Sequence, residues 1–232
     1  MMAFRRRSAP AFWREKERAY LFERWGVSAK DALSGWQHEK KKLSRWFRDE
    51  VRPDGSPRNC AYCDAMLLQS SPETIDHFVP EHAVPEWGLS WPNLYPACYQ
   101  CNSGAKGAQW SCGLLRPDGD VASGDDDDLQ AFLRWFSFDS YSGALSPARG
   151  LDRKAKARVR LTIRVFGLNK PIRCLARCNV WEMLLDAAKS PVNHARLDKF
   201  VKKGQYRFVA LLFRAQYERR HEGAPPSQRP TP

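Results

Sequence analysis

The chain has 232 residues, a formal net charge of +12 and 43% hydrophobic residues. This composition is typical of a globular protein with a buried core, and the excess of positive charge indicates a polyanionic partner, most often nucleic acid. A basic surface that only keeps the protein in solution is the alternative. No stretch reaches the roughly 18 apolar residues of a membrane span, and no secretory signal is recognisable at the N-terminus, so we expect a cytoplasmic protein without a membrane contact.

The order of sequence patterns divides the chain into five regions. Apolar residues at helical spacing predict an N-terminal helical segment over residues 1–57, with helices over 11–25 and 27–51. Two Cys-x-x-Cys pairs mark a core over residues 58–110. Residues 111–150 combine loop signals with the alternating stretch “LQAFLRWFSFDSYSGALSP”, which predicts a β-hairpin. A basic helical region follows over 151–221, and the Pro-rich residues 222–232 are typical of a disordered tail.

The basic C-terminal region is predicted to form a bundle of four helices, which includes a helix over 191–203. One face of its first helix is apolar and the rest is mostly basic. The apolar face consists of Ala155, Val159, Ile163 and Phe166. The sequence “GLN” at 167–169 predicts the end of this helix, and Pro171 predicts the start of the next. The basic surface of the first helix is either a solvated face or a contact for a nucleic-acid backbone.

Four of the seven cysteines form two Cys-x-x-Cys pairs, Cys60 with Cys63 and Cys98 with Cys101. In a reducing compartment such pairs are metal ligands rather than disulfides. Two pairs complete a tetrahedral site of four thiolates, for which Zn²⁺ is the default ion and which leaves no open position for chemistry. We therefore predict a structural zinc site, against the alternative of cysteines that share a reduced core by coincidence. The remaining cysteines, Cys112, Cys174 and Cys178, are expected to be free. Cys174 and Cys178 are also expected to be buried.

The 34 residues between the two cysteine pairs contain side chains suited to phosphodiester hydrolysis. A neutral histidine near pH 7 can take a proton from an attacking water, and His77 is a candidate for this role. Carboxylate and amide oxygens are hard ligands for Mg²⁺. Asp76 precedes His77 in a strand-like stretch, so the two side chains point to opposite faces and can take different roles. Asn102 is predicted to start a helix that carries Lys106 and that a zinc site would hold against this strand.

The sequence “CAYC…IDHFVPE…WPNLYPACYQCNSGAKG” resembles the HNH, or His-Me finger, endonuclease motif in its zinc-stapled form. The resemblance implies a ββα-metal fold of two strands, a connecting loop and a helix around a catalytic ion, Mg²⁺ or Mn²⁺. It implies that His77 is the general base and that Asp76 and Asn102 bind this ion. It also implies that Asn93, in the loop, orients the His77 ring through its other nitrogen and that Lys106 lies near phosphate. The expected fold class is α+β, with this core inside a mainly helical protein.

Segments outside the motif resemble HNH proteins of bacterial anti-phage systems. The resemblance is greatest to the nuclease subunit of Septu and of retron-associated Septu-like modules, and it spans about residues 60–200. It implies a role in anti-phage defence and a partner ATPase. The first hypothesis is therefore a metal-dependent nuclease that cuts DNA. Members of this group often carry Glu before the histidine, where this chain has Asp76, which is an equally good hard ligand.

Two other functions stay open at this point. The same site could cleave RNA, including tRNA, because the ion and His77 act on groups common to both polymers. A catalytically silent zinc module that binds nucleic acid or protein would need the four cysteines but not the Asp-His pair. Other polar and aromatic residues are expected to have structural roles: His82 at the surface, Trp87 and Trp91 as anchors rather than base-stacking platforms, and Asp125–Asp128 in a solvated loop.

Overall fold

A computed structural model gives the fold of the chain. It describes residues 4, 6, 8–15, 17, 42–43, 59–67, 73–122, 127–189, 200 and 204–221. Residues 11–15 and 42–43 are helical. The rest of the two predicted N-terminal helices, nearly all of the predicted helix over 191–203 and the tail 222–232 lie outside the described residues.

A two-stranded antiparallel sheet forms the centre of the candidate core. Strand β1 (Glu73–His77) pairs with strand β2 (Leu94–Cys98) in a register that sets His77 opposite Leu94 and Asp76 opposite Tyr95. Neighbouring residues of a strand point to opposite faces. The register therefore separates Asp76 from His77, as the sequence predicted.

The two faces of this sheet pack on different hydrophobic clusters. Ile75 and Leu94, on the His77 face, belong to a small cluster with Trp91. Tyr95, on the Asp76 face, belongs to the larger cluster that includes Phe166. Both faces of the sheet are thus covered.

A short π-helix over Asn102–Lys106 follows β2 and packs against β1. Asn102 Nδ2 donates a hydrogen bond to Thr74 Oγ1 at 3.0 Å. Together β1, β2 and this helix form the predicted ββα unit. The combination of helices with two small antiparallel sheets confirms the α+β class.

The stretch predicted to be one β-hairpin is a helix followed by a shorter hairpin. Helix α1 spans Asp128–Trp135, and only β3 (Phe136–Phe138) and β4 (Leu145–Pro147) pair. The alternating apolar residues suggested a strand, but Asp127 supplies a helix N-cap by accepting from two backbone N–H groups of the first turn. The end of the acidic run is therefore a helix start rather than a solvated loop, and Asp128 pairs with Arg207 at 3.3 Å.

Three long helices lie in the described part of the C-terminal region. They are α2 (Arg153–Val165), α3 (Pro171–Ala188) and α4 (Arg207–His221). Helix α2 ends before Gly167, which has a φ of +57°, and α3 begins at Pro171, so both predicted boundaries are confirmed. Two residues of the predicted apolar face of α2, Ala155 and Ile163, are only half-buried. Within the described part of the chain, none of the helices has the length and apolar character required to cross a bilayer.

Gly143, in the turn between β3 and β4, occupies a position that a side chain cannot share. Its φ is +68°, and an added Cβ would lie 2.1 Å from the carbonyl oxygen of Cys174 on α3. Gly143→Ala should therefore lower the free energy of unfolding by about 2–5 kcal/mol, through backbone strain and overpacking. Denaturant unfolding measures this loss. Gly150→Ala is the matched control, because an added Cβ there meets nothing within 4 Å, and an equal effect of both variants would contradict the explanation.

Candidate active site and metal centre

The four cysteines of the two pairs lie together in the interior. Their Sγ atoms are all within 4.8 Å of one another, and all four residues are buried. Each pair sits on a tight turn: the Asp64 N–H donates to Cys60 O at 2.9 Å, and the Cys101 N–H donates to Cys98 O at 3.0 Å. The structure thus brings together the four residues that the sequence predicted as ligands.

The chemistry of this cluster fits a metal ion. Burial raises the pKa of Cys60 and of Cys101, because a thiolate loses its hydration in the interior. Four buried thiols at this distance therefore cannot all ionise unless a cation balances their charge. Four sulfur donors in a closed set are the ligands that a structural Zn²⁺ prefers.

Arg173 on α3 lies next to this cluster and was not predicted from the sequence. It is only 4% exposed. Its Nη2 is 4.0 Å from Cys98 Sγ, and its Nη1 donates to Phe166 O at 2.9 Å. Burial alone would lower the pKa of Arg173, but the charge of the neighbouring cysteines raises it above its usual value. Since four thiolates around a divalent ion leave a net charge of about −2, this guanidinium is suited to balance part of that charge.

Asp76 lies in a buried polar network on the face of the sheet that Tyr95 shares. Its side chain is 3% exposed, its Oδ1 is 3.0 Å from Lys106 Nζ, and its Oδ2 accepts from the Tyr62 hydroxyl at 2.5 Å. Burial raises the pKa of Asp76, whereas Lys106 and Tyr62 act in the opposite direction. The network therefore links β1 to the π-helix and to the first cysteine pair.

Lys106, which the resemblance places near phosphate, is buried beside Asp76. Lys106 is 1% exposed, and its ammonium also donates to His77 O at 2.7 Å. A buried carboxylate requires a paired charge, and Lys106, one helical turn after Asn102, reaches Asp76 to provide it. Lys106 is thus the charge partner of Asp76.

His77 stands at the end of β1, half-exposed. Its Nε2 is 2.6 Å from the carbonyl oxygen of Gly88. A carbonyl oxygen only accepts, so Nε2 must carry the proton in this contact. In the neutral ring the lone pair then lies on Nδ1, and this is the atom that could accept a proton from water.

The side chain of Asn93, which the resemblance implies orients the His77 ring, bonds to the backbone of the loop between the strands. Its amide oxygen accepts from Val79 N–H at 2.8 Å, and its amide nitrogen donates to Val79 O and to Trp87 O, both at 3.0 Å. Asn93 thereby ties together the two ends of the loop between the strands. The His77 ring contacts the backbone carbonyl of Gly88, whose position Asn93 fixes through the adjacent Trp87.

Asn102 contacts the strand that carries Asp76. Its amide nitrogen is engaged by β1, through Thr74 Oγ1 and more weakly through Ile75 O at 3.4 Å. The amide oxygen is then the atom that could bind a cation. Asp76 can also accept further bonds, because a carboxylate offers about four lone-pair sites and its bonds with Tyr62 and Lys106 use two of them. These hard oxygen donors fit Mg²⁺ or Mn²⁺.

The remaining candidates divide between surface and core. His82 is exposed, and Trp91 is buried as expected of an anchor, whereas Trp87 is 43% exposed. The three other cysteines are free, as predicted. Cys174 and Cys178 are only half-buried, which differs from the prediction, because they lie toward the open side of α3 beside the Gly143 turn.

Residues 60–107 match the family model described as HNH endonuclease. The matched segment contains both cysteine pairs, β1, β2 and the π-helix. The sequence-based recognition of an HNH endonuclease is thus confirmed for this segment.

Three known proteins have similar sequences. The chain is 33% identical to Protein ea31 of Escherichia phage lambda over 79 residues, which are 29% of this chain and 26% of that protein. It is 38% identical to Septu protein PtuB of Bacillus thuringiensis over 53 residues, 22% of this chain and 20% of PtuB. It is 25% identical over 155 residues, 65% of this chain and 72% of the relative, to a retron Vc95 protein of Vibrio cholerae serotype O1 biovar El Tor that is provisionally named an HNH endonuclease. The chain thus spans about a quarter of the length of Protein ea31 and about a fifth of the length of PtuB.

Cys98→Ser should lower the zinc content below one ion per chain and destabilise the domain, because a structural zinc contributes directly to folding free energy. Elemental analysis and thermal unfolding measure the two effects. Cys112→Ser is the matched control, since Cys112 is exposed and free. A Cys98→Ser protein that is free of zinc but as stable as the parent would contradict a structural role.

Arg173→Met should release zinc about 10–100-fold more readily, because it removes the charge beside the thiolates while keeping an apolar stem. The rate of zinc transfer to a chromogenic chelator measures this change. Arg173→Lys, which keeps the charge, should recover part of the loss. Equal release rates in the parent and Arg173→Met would show that the guanidinium only fills space.

Proposed function

We propose that this chain, in which residues 60–107 form an HNH endonuclease domain, hydrolyses phosphodiester bonds of DNA as the nuclease of an anti-phage defence system. The observation that most supports this activity is the His77 ring at the end of β1. Its proton is held on Nε2 by the Gly88 carbonyl, at 2.6 Å. A silent zinc-binding module would have no need of this arrangement.

His77 is proposed to act as the general base. Nδ1 takes a proton from the water that attacks phosphorus, and the bond from Nε2 to Gly88 keeps the ring in the tautomer that can do so. The ring is half-exposed, so water and substrate can reach it. Asn93 is proposed to support this role indirectly, by fixing the loop that presents the Gly88 carbonyl.

Asp76 and Asn102 are proposed to hold the catalytic Mg²⁺ or Mn²⁺. When bound, such an ion neutralises charge on the phosphate and stabilises the leaving alkoxide. Tyr62 and Lys106 fix the Asp76 carboxylate before any ion or substrate arrives. This preorganisation means that little rearrangement is needed during the reaction.

The cysteine cluster is proposed to hold a structural Zn²⁺ that positions these groups. Cys98 ends β2 and Cys101 directly precedes the π-helix, so the metal would fix the helix relative to the sheet. The distance between Asn102 on the helix and Asp76 on β1 depends on this connection. We also propose 58–110 as the boundaries of the nuclease core.

The biological setting is proposed from the relatives. Similarity to Septu protein PtuB and to the retron Vc95 protein supports a role in anti-phage defence. The Septu nucleases that this sequence resembles typically pair with an ATPase, and we propose such a partner here, in the cytoplasm. DNA is the proposed substrate, although the groups around His77 would act equally on RNA.

His77→Ala and His77→Gln should each lower cleavage of supercoiled plasmid by roughly 10²–10⁴-fold, the usual contribution of a general base. The glutamine variant keeps an N–H donor for the Gly88 carbonyl but has no basic nitrogen. Cleavage is measured with the full chain in Mg²⁺, in Mn²⁺ and in EDTA, with total RNA as a parallel substrate. His82→Ala is the matched control, because His82 is exposed five residues further on.

Plasmid cleavage that requires metal, is lost in both His77 variants and persists in His82→Ala would support the proposal. Loss of RNA cleavage alone would change the substrate to RNA. Undiminished plasmid cleavage in His77→Gln would exclude His77 as the base.

A further inference from the structure

Helix α2 carries six basic residues, and four of them form a line along its outer side. With 3.6 residues per turn, three of the four fall within a sector about 40° wide, opposite the buried face of the helix, and the fourth flanks them. The line runs for about 16 Å, at 1.5 Å per residue. We call it the basic stripe, and it consists of Arg153, Lys156, Arg160 and Arg164.

The basic stripe faces away from the described part of the protein. Arg153, Arg160 and Arg164 are exposed, and Lys156 is half-exposed. No stripe residue makes a side-chain hydrogen bond or ion pair to the part of the chain that the structure describes. Arg158 on the same helix shows the contrast, because it pairs with Asp120 at 2.9 Å. The stripe is therefore a row of cations available to an external partner.

The C-terminal end of α2 contacts the candidate active site. Phe166, which follows the helix, stacks on Tyr62 with ring centroids 4.0 Å apart, and Tyr62 donates to Asp76. Lys170 Nζ donates to Gly104 O in the π-helix at 2.7 Å. A polymer that follows the stripe past Arg164 thus arrives at the surface of the ββα unit.

We infer that the basic stripe binds the phosphate backbone of double-stranded nucleic acid and directs it to the candidate site. This inference rests on the proposed function and adds to it the class of substrate. The length of the stripe corresponds to about five phosphates of one strand of B-DNA. The planar guanidinium of arginine forms paired hydrogen bonds with phosphate.

The composition of the stripe favours a backbone contact over other partners. Proteins that bind single strands combine cations with aromatic side chains that stack on bases, and the outer side of α2 has only Ala157 between its cations. Protein interfaces obtain most of their affinity from buried aromatic or apolar anchors, which this surface lacks. An acidic protein is therefore the less favoured partner.

The test compares two triple variants of the full chain with the same loss of charge. The stripe variant is R153Q/R160Q/R164Q, and the control variant K189Q/R214Q/R219Q removes exposed cations at the C-terminal end of α3 and on α4. Both are made in the His77→Gln background, without added divalent ion, so that binding is measured without cleavage. Fluorescence anisotropy with 20-base-pair duplex DNA, duplex RNA and single-stranded DNA, from 50 to 200 mM salt, gives affinity and its salt dependence.

The stripe variant should bind duplex at least about tenfold more weakly, and the slope of log affinity against log salt should fall by about 2–3, since each phosphate contact contributes about 0.9. The control variant should stay within about twofold of the parent. The two duplexes distinguish DNA from RNA as the source of the backbone. Three results would overturn the inference: equal losses in both triple variants, a preference for the single strand, or unchanged duplex binding by the stripe variant. Unchanged duplex binding would indicate that the basic stripe binds a protein partner instead.

Cleavage by the same triple variants, made in the protein that retains His77, separates this inference from the proposed function. Loss of duplex binding in a protein that never cleaves would retain the stripe and reject the nuclease. Normal cleavage at low substrate concentration by the stripe variant would retain the nuclease and reject the stripe.

Discussion

The buried carboxylate of Asp76 is the constraint on which the rest of the site depends. Its two oxygens meet Tyr62 from the first cysteine pair and Lys106 from the π-helix, so one side chain joins three elements. A buried charge without partners would cost several kcal/mol. The sequence therefore has to supply a cation and a hydroxyl at this point, and both are held by segments that the cysteines connect.

The cysteine cluster and the Asp76 network act on the same piece of backbone. The π-helix begins directly after Cys101, and its last residue is Lys106. Arg173 adds a third link, because it contacts Cys98 and also the carbonyl of Phe166, whose ring stacks on Tyr62. Through these contacts the C-terminal helices support a site whose reactive groups all lie within residues 60–107.

Local patterns allowed much of this arrangement to be predicted. The cysteine spacing identified the four clustered thiols, and the Asp-His pair in a β-prone stretch identified β1. The Gly88 carbonyl, Tyr62 and Arg173 were missed, because their roles depend on neighbours distant in sequence. The pairing of Lys106 with Asp76 was missed for the same reason. Helix α1 was predicted as a strand because apolar alternation outweighed the capping signal of Asp127.

The central claim is that the Asp76 carboxylate and the Asn102 amide together hold a divalent ion next to His77. Its most direct test is the affinity for Mn²⁺, followed by electron paramagnetic resonance, in the parent, Asp76→Asn and Asn102→Ala at equal zinc content. We predict one Mn²⁺ site in the parent and at least about tenfold weaker binding in both variants. Mn²⁺ binding that is unchanged in the two variants, with zinc and fold intact, would contradict the account.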